Sequence, residues 1–207
     1  GPPWIERRDH CRCALSLLEC HDRRRWDSDK KSELHSIMSE FAETVSAPIV
    51  TFGAEDVRRL KDLAARSTKD RFRFCTHDST AHPIQEMLIC TRRHVYLPPH
   101  RHPTGKCESY HVVEGQAAVY LMSEAGEILN MHLLGDGDHD GAFFFRISEP
   151  IFHFVFPLSD WFVYHEIYSG PWTREGSVIP APFAPAEDDP IGVAAFIKRI
   201  TGVDITS

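Results

Sequence analysis

No run in this 207-residue chain approaches the roughly 18 consecutive apolar residues that a membrane-spanning helix requires, so no helical span is expected. Positive charge is also scarce. Against 30 Asp and Glu stand 23 Lys and Arg, for a net charge of −7, and without clustered cations to neutralise phosphates nucleic acid is not expected as a partner. The longest basic run, Arg23-Arg24-Arg25, is soon followed by Asp27 and Asp29. Cysteine is sparse and lacks any C-x-x-C pair: the six are Cys11, Cys13, Cys20, Cys75, Cys90 and Cys107. A chain of this length does not need disulfide staples, so reduced thiols are expected. Cys11, Cys13, Cys20 and His21 have the wrong spacing for a zinc knuckle and alternate with Leu15, Leu17 and Leu18, which fits a helix carrying buried thiols. Nothing resembles a secretory signal, and a cytoplasmic location is the expectation. Gly1-Pro2 reads as the remnant of a protease site. Gly-rich phosphate loops, Gly-x-Ser-x-Gly elbows, dinucleotide fingerprints and internal repeats are all missing.

What is present is 42% hydrophobic residues, 13 Phe and 13 His, enough apolar side chain for a substantial core and an excess of the residue best suited to metal ligation and proton transfer near neutrality. From 28 to 45 the series Leu34, Ile37, Met38, Phe41, Ala42, Val45 recurs at helical spacing and predicts an amphipathic helix. A second helix is predicted over 55–65, with Val57, Leu60, Leu63 and Ala64 on one side. Between 85 and 168 short runs rich in Val, Ile, Tyr and Phe alternate with Pro, Gly and Asp clusters, the pattern of an antiparallel barrel or sandwich. The predicted strands are 85–91, 94–102, 108–114, 116–123, 128–134, 142–147, 151–156 and 161–168. A Pro-rich tail and a helix over 191–200 close the chain. The expected organisation is a helical extension over 1–47, a helix and lead-in over 48–84, a barrel over 85–172 and a tail with a helix over 173–207.

The informative segment runs from Pro98 to His111. Residues two apart on a strand share a face, so His100 and His102 present two imidazoles to one point. The loop from Pro103 to Cys107 reverses the chain and allows Glu108 to face the same point. Two His and a carboxylate suit a divalent transition metal with open positions, and His153, isolated on the apolar stretch Ile151-Phe152-His153-Phe154-Val155, is placed to be a fourth ligand. Strand parity puts Tyr110 and Val112 on the face of Glu108 and turns Ser109 and His111 away. Tyr110 is thus either a proton donor or orienting group, or a packed aromatic. Ile151 and Val155 share the face of His153. Arg101 and Lys106 flank the ligand loop, where they either attract a carboxylate or phosphate or form solvated surface charge. Cys107 adjoins a ligand, but parity turns it away. Asp136 to Gly141 imitates the first half of a calcium loop, yet the twelfth position is Ile147 rather than a carboxylate, so a polar hairpin loop is expected.

The pattern His100-x-His102-x5-Glu108-x6-Gly115 resembles the first cupin motif, and His153 falls where the second places its histidine. Gln85 to Ile89, Pro99 to Pro103, Lys106-x-Glu108-Ser109-x-His111, Phe156 to Asp160, Gly170-Pro171-Trp172 and Phe183-Ala184-Pro185 together resemble the WbuC-type cupin-fold metalloproteins, over about 49–189. The resemblance implies a mainly β fold: a double-stranded β-helix barrel, or antiparallel jelly roll, with helices before it and a short one after it. It further implies a homodimer, one divalent metal per chain held by three His and one Glu, and an association with surface-polysaccharide genes. It singles out Gln85, Glu166 and Tyr168 as substrate-contacting positions, with Tyr168 where relatives tend to have Lys. One departure is Ser148-Glu149-Pro150 in place of Pro-x-Gly before the second histidine, which alters the turn into that strand.

Two functions follow. One is a metal-dependent enzyme acting on a small polar metabolite such as a sugar, nucleotide sugar or amino-acid derivative. The metal is Fe, Zn, Ni, Mn or Cu, with oxygen activation expected for Fe(II) and Lewis-acid isomerisation, elimination or hydrolysis for Zn or Ni. The other is a module that uses its metal to grip a sugar or carboxylate without turnover.

Overall fold

The computed structural model describes residues 35–206; the cysteine-bearing segment at 11–21 and the first part of the helix predicted from 28 lie outside them. Twelve strands and three helices follow one another as β1 His35–Met38, β2 Ala42–Ser46, α1 Ala54–Arg66, β3 Arg71–Cys75, β4 Ile84–Arg92, β5 His100–Arg101, β6 Glu108–Glu114, β7 Gln116–Met122, β8 Ile128–Gly135, β9 Phe144–Ile147, β10 Phe152–Pro157, β11 Trp161–Ser169, α2 Arg174–Ser177, β12 Ile179–Pro180 and α3 Pro190–Thr201. They form a seven-stranded sheet in the order β1-β2-β3-β4-β11-β6-β9 and a five-stranded sheet in the order β12-β5-β10-β7-β8. Apart from the parallel β2–β3 pair, the paired strands are antiparallel. The fold is thus the mainly β, two-sheet antiparallel barrel expected. Among the described residues no helix is long and apolar enough to cross a membrane.

Three apolar clusters make the layers. Between the sheets, Tyr110 and Val112 from β6, Ala117 and Val119 from β7, Val155 from β10 and Phe162 and Tyr164 from β11 pack together. On the outer face of the larger sheet α1 buries Leu60 and Ala64 against Phe72, Phe74, Leu88 and Val163. On the outer face of the smaller sheet α3 sets Val193, Phe196, Ile197 and Ile200 against Phe152, Phe154 and Phe156. Because both of its faces are covered, β10 is buried throughout, and its odd-numbered residues His153 and Val155 point inward while the Phe residues meet α3. Asp189 caps α3 by accepting from the backbone N–H of Gly192 at 2.9 Å. Gly115 joins β6 to β7 at φ 86°, where a Cβ would lie 2.1 Å from the Trp161 carbonyl oxygen, so only glycine fits that turn.

Two predicted elements are corrected. Residues 35–45, expected within an amphipathic helix, form β1 and β2 around a turn at Ser39, whose N–H donates to the Ala42 carbonyl at 2.7 Å. The apolar residues at three- and four-residue spacing also serve a strand-turn-strand unit, and the β-branched pair Thr44-Val45 favours extension. Parallel pairing with β3 then stabilises β2, and Glu43 and Val45, two apart, both meet α1, Glu43 through Arg59 at 2.5 Å. The strand predicted over 94–102 shrinks to His100–Arg101. His94 sits at φ 61°, and Pro98-Pro99 supplies no N–H to a ladder. Strand β3, whose Arg-Phe-Arg-Phe-Cys alternation carries a clear period of two, along with α2 and β12, was not predicted.

Candidate metal centre

The two sheets meet chemically at one point. His100 on β5 faces His153 on β10 across a β bridge, His102 lies just past β5, and all three come from the five-stranded side. Glu108 opens β6 in the seven-stranded sheet, opposite Tyr168. One ligand atom from each of His100, His102, Glu108 and His153 lies within 4.8 Å of the others. The altered turn at Ser148-Glu149-Pro150 therefore does not keep His153 from the group. His102, Glu108 and His153 are buried, at 6%, 4% and 1% exposure.

Each imidazole is oriented from behind. Nδ1 of His100 lies 3.0 Å from the Pro98 carbonyl, that of His102 2.7 Å from the Ser177 carbonyl, and that of His153 3.2 Å from the Ile151 carbonyl. A carbonyl only accepts, so Nδ1 carries the proton and Nε2 turns its lone pair inward. His102 Nε2 and His153 Nε2 are buried with no hydrogen-bond partner, although they stand 3.4 and 3.3 Å from the two Glu108 oxygens. Orphaned buried acceptors converging on a carboxylate are costly unless a cation sits among them, and three neutral imidazoles with one carboxylate match the donor set of a divalent transition metal. The cluster is capable of holding such an ion.

Without a metal, the same contacts set the charges of the group. Burial pushes the His100 imidazolium down to a pKa of about 4, with His153 adding to the effect. For Glu108 burial works upward, but the imidazoles of His102 and His153 outweigh it and hold the carboxyl well below its ordinary range. For His102 burial works downward and Glu108 more than offsets it. In the metal-free protein His100 stays neutral to about pH 4, whereas in the unfolded chain it protonates near 6.5. The unfolded state then binds more protons at His100 between those values, so the contribution of His100 to stability falls as pH drops through that window, by on the order of 2 kcal/mol. Urea midpoints of chelated protein at pH 7 and pH 4.5 measure this, with the lower midpoint expected at pH 4.5.

Around the four residues opens a cavity of about 550 Å³, a size suited to a small metabolite. Of the residues predicted to touch substrate, Gln85, Glu166 and Tyr168 line it, as do Tyr110 and Val155. Gln85 Nε2 donates to the His82 carbonyl at 2.8 Å, and Tyr168 donates to the Ser177 carbonyl at 3.1 Å with its ring 4.6 Å from that of His102. Burial, then the charge of Glu108, pushes the Glu166 carboxyl well above its ordinary value. Tyr110 is both a packed aromatic and an orienting group: it is buried against Tyr164 and Phe145, and its hydroxyl donates to Glu108 Oε2. Tyr110→Phe is expected to weaken metal affinity by roughly 10-fold while leaving the fold intact, as loss of a carboxylate's supporting hydrogen bond does; competition against a chromophoric chelator measures it.

Arg101 and Lys106 lie outside the cavity lining. Arg101 pairs with Glu124 and stacks 4.7 Å from the Phe152 ring. Lys106 Nζ donates to the carbonyls of Ser169 and Gly170 at 3.1 and 2.7 Å. His111 is exposed beside Phe143 and Phe144, and Cys107 contacts Arg146, both turned from the cluster as parity requires. The Asp136 carboxylate is occupied by the N–H groups of Gly115 and Asp138 and by His139, so that loop is a hairpin support. The cavity also takes in Arg71, Arg73 and His77, which the sequence reading passed over. Their signal was the alternation in β3, which turns Phe72 and Phe74 to α1 and the arginines to the other face.

A family model, a domain of unknown function designated DUF6016, matches residues 52–134. No curated protein matches the chain. Among solved structures the chain is similar to protein SO0799 from Shewanella oneidensis, at 14% identity and TM-score 0.46, covering 62% of this chain and 85% of that one. It is also similar to an oxalate oxidase in complex with the substrate analogue glycolate, at 15% identity and TM-score 0.38, covering 49% and 47%. A third is oxalate decarboxylase from Bacillus subtilis, at 15% identity and TM-score 0.39, covering 48% and 24%. The chain thus spans less than half the length of either oxalate enzyme.

Proposed function

We propose that this protein is a mononuclear, divalent-metal-dependent enzyme of cupin type, acting on a small polar metabolite such as a sugar, nucleotide sugar or amino-acid derivative. The observation that carries the reading is the pair of buried, unpartnered Nε2 atoms of His102 and His153, converging with His100 on Glu108 at the wall of a cavity large enough for a metabolite. A metal held there supplies Lewis-acid polarisation or, if it is redox-active, oxygen chemistry. The chain's own groups do the rest. Pro98, Ser177 and Ile151 carbonyls fix the imidazoles, and Tyr110 fixes the carboxylate. Val155, Met87 and Ile89 give the cavity apolar walls that limit water. Glu166, whose carboxyl burial pushes well above its ordinary range, faces the cavity as a candidate proton donor to a bound substrate.

The test is turnover of a panel of sugars, nucleotide sugars and amino-acid derivatives by metal-loaded protein, with oxygen consumption followed in parallel. Turnover lost in Glu108→Ala is the expected result. Oxygen consumption coupled to it assigns redox chemistry, and turnover without it assigns the Lewis-acid class. Tight binding of an unchanged compound, with no product across the panel, would overturn the enzyme reading in favour of a binding module.

A further inference from the structure

We propose that the cavity holds a second subsite, an anion site centred on Arg73, and that the substrate joins a metal-chelating head to an anionic tail, either carboxylate or phosphate. The inference rests on the metal-dependent reading above. Strand β3 turns Phe72 and Phe74 to α1, and its other face, Arg71, Arg73 and Cys75, lines the cavity. Register carries that face across the sheet: Arg73 pairs with Ile89 on β4, Ile89 with Tyr164 on β11, and Tyr164 with Val112 on β6, the strand that Glu108 opens. Arg73 therefore stands three strand spacings, about 14 Å between backbones, from Val112, and Glu108 lies four residues further along β6. The side chains of Arg73 and Glu108 rise over the same face, with Met87 and Ile89 of β4 and Tyr164 and Glu166 of β11 between them, so a ligand must be elongated to use both ends.

Arg73 has charge to spend. Arg71 is bound to Glu187 at 2.9 Å, whereas Arg73 forms no ion pair among the described residues. Glu166, a carboxyl on the same face, is pushed toward its neutral form by burial and by Glu108, against a weaker opposing pull from Arg73. The alternative cations, Arg101 and Lys106, are committed to Glu124 and to backbone carbonyls. Among the described residues lining the cavity, Arg73 is the one guanidinium left for a ligand, and its planar fork suits a carboxylate or phosphate.

The experiment uses the full chain loaded with Mn(II), metal content measured on every sample, and calorimetric titration with 2-hydroxy acids that share a chelating head and differ in tail: 2-hydroxybutyrate, malate, 2-hydroxyglutarate, 2-hydroxyadipate and 3-phosphoglycerate. At least one anionic-tailed compound is expected to bind roughly 10- to 100-fold tighter than 2-hydroxybutyrate, and the preferred one tells carboxylate from phosphate. Arg73→Ala is expected to erase the difference with metal content unchanged, and Arg73→Lys to keep part of it. Equal affinity for all tails, no binding of any, or a preference that survives Arg73→Ala would overturn the subsite while the metal reading stands. Protein that takes up no metal defeats the underlying reading instead, and the inference with it.

Discussion

Glu108→Ala is expected to lower the affinity for divalent metal by at least about 100-fold, beyond the effect of losing a supporting hydrogen bond such as that of Tyr110. Glu108 is the only anionic member of the cluster and the only one contributed by the seven-stranded sheet. Without it three neutral imidazoles remain on one side, and nothing balances the dication in a site where His102 and His153 are almost fully buried. Glu108→Gln keeps the shape and removes the charge, so it separates packing from electrostatics: the same loss of affinity in metal-free protein that still unfolds cooperatively assigns the effect to ligation. His153→Ala should behave alike, since its Nε2 has no partner but the Glu108 neighbourhood. Competition titration with metal content measured in parallel checks all three, and retention of wild-type affinity in any of them would remove that residue from the ligand set.

Phe154→Ala is expected to cost about 3–5 kcal/mol of folding stability. Phe154 is fully buried, its ring 5.4 Å from Phe196 of α3, 5.8 Å from Phe156 and 5.9 Å from Tyr96. Truncation leaves a cavity walled by rings that cannot all close in. The effect reaches the metal centre as well, because Phe154 is the residue after His153 and anchors the outer face of the strand that presents it. Ile191→Ala, on the same α3 but 83% exposed, is the control and should change stability by less than about 0.5 kcal/mol. Urea denaturation of the two variants measures the contrast.

The residues that make the candidate site were legible because a strand's period of two is strict. His100, His102 and Glu108 sit within nine residues, and their faces follow from local geometry alone, as do the outward turns of His111 and Cys107. The same rule accounts for β6, β7, β10 and β11, whose bounds match the alternating pattern to within a residue or two. What failed was decided at long range. Residues 35–45 carry apolar spacing that serves either helix or strand, and the parallel partner β3 makes the choice. The roles of Arg101 and Lys106 depended on Glu124 and on the carbonyls after β11, contacts 23 and 64 residues away for Arg101–Glu124 and Lys106–Gly170. Arg73 was overlooked for the converse reason: its strand lies outside the stretch carrying the motif, and only the sheet order β3-β4-β11-β6 puts it on the cavity wall.

Whether His100, His102, Glu108 and His153 together hold one divalent metal is read by X-ray absorption at the metal edge of the Zn- or Mn-loaded 207-residue chain. One ion per chain is expected, with a shell of imidazole nitrogens and carboxylate oxygen at about 2.0–2.2 Å in the Zn form, lost in Glu108→Ala. A sulfur shell near 2.3 Å, which would place the ion on cysteine, or a spectrum and metal content unchanged by Glu108→Ala would contradict it.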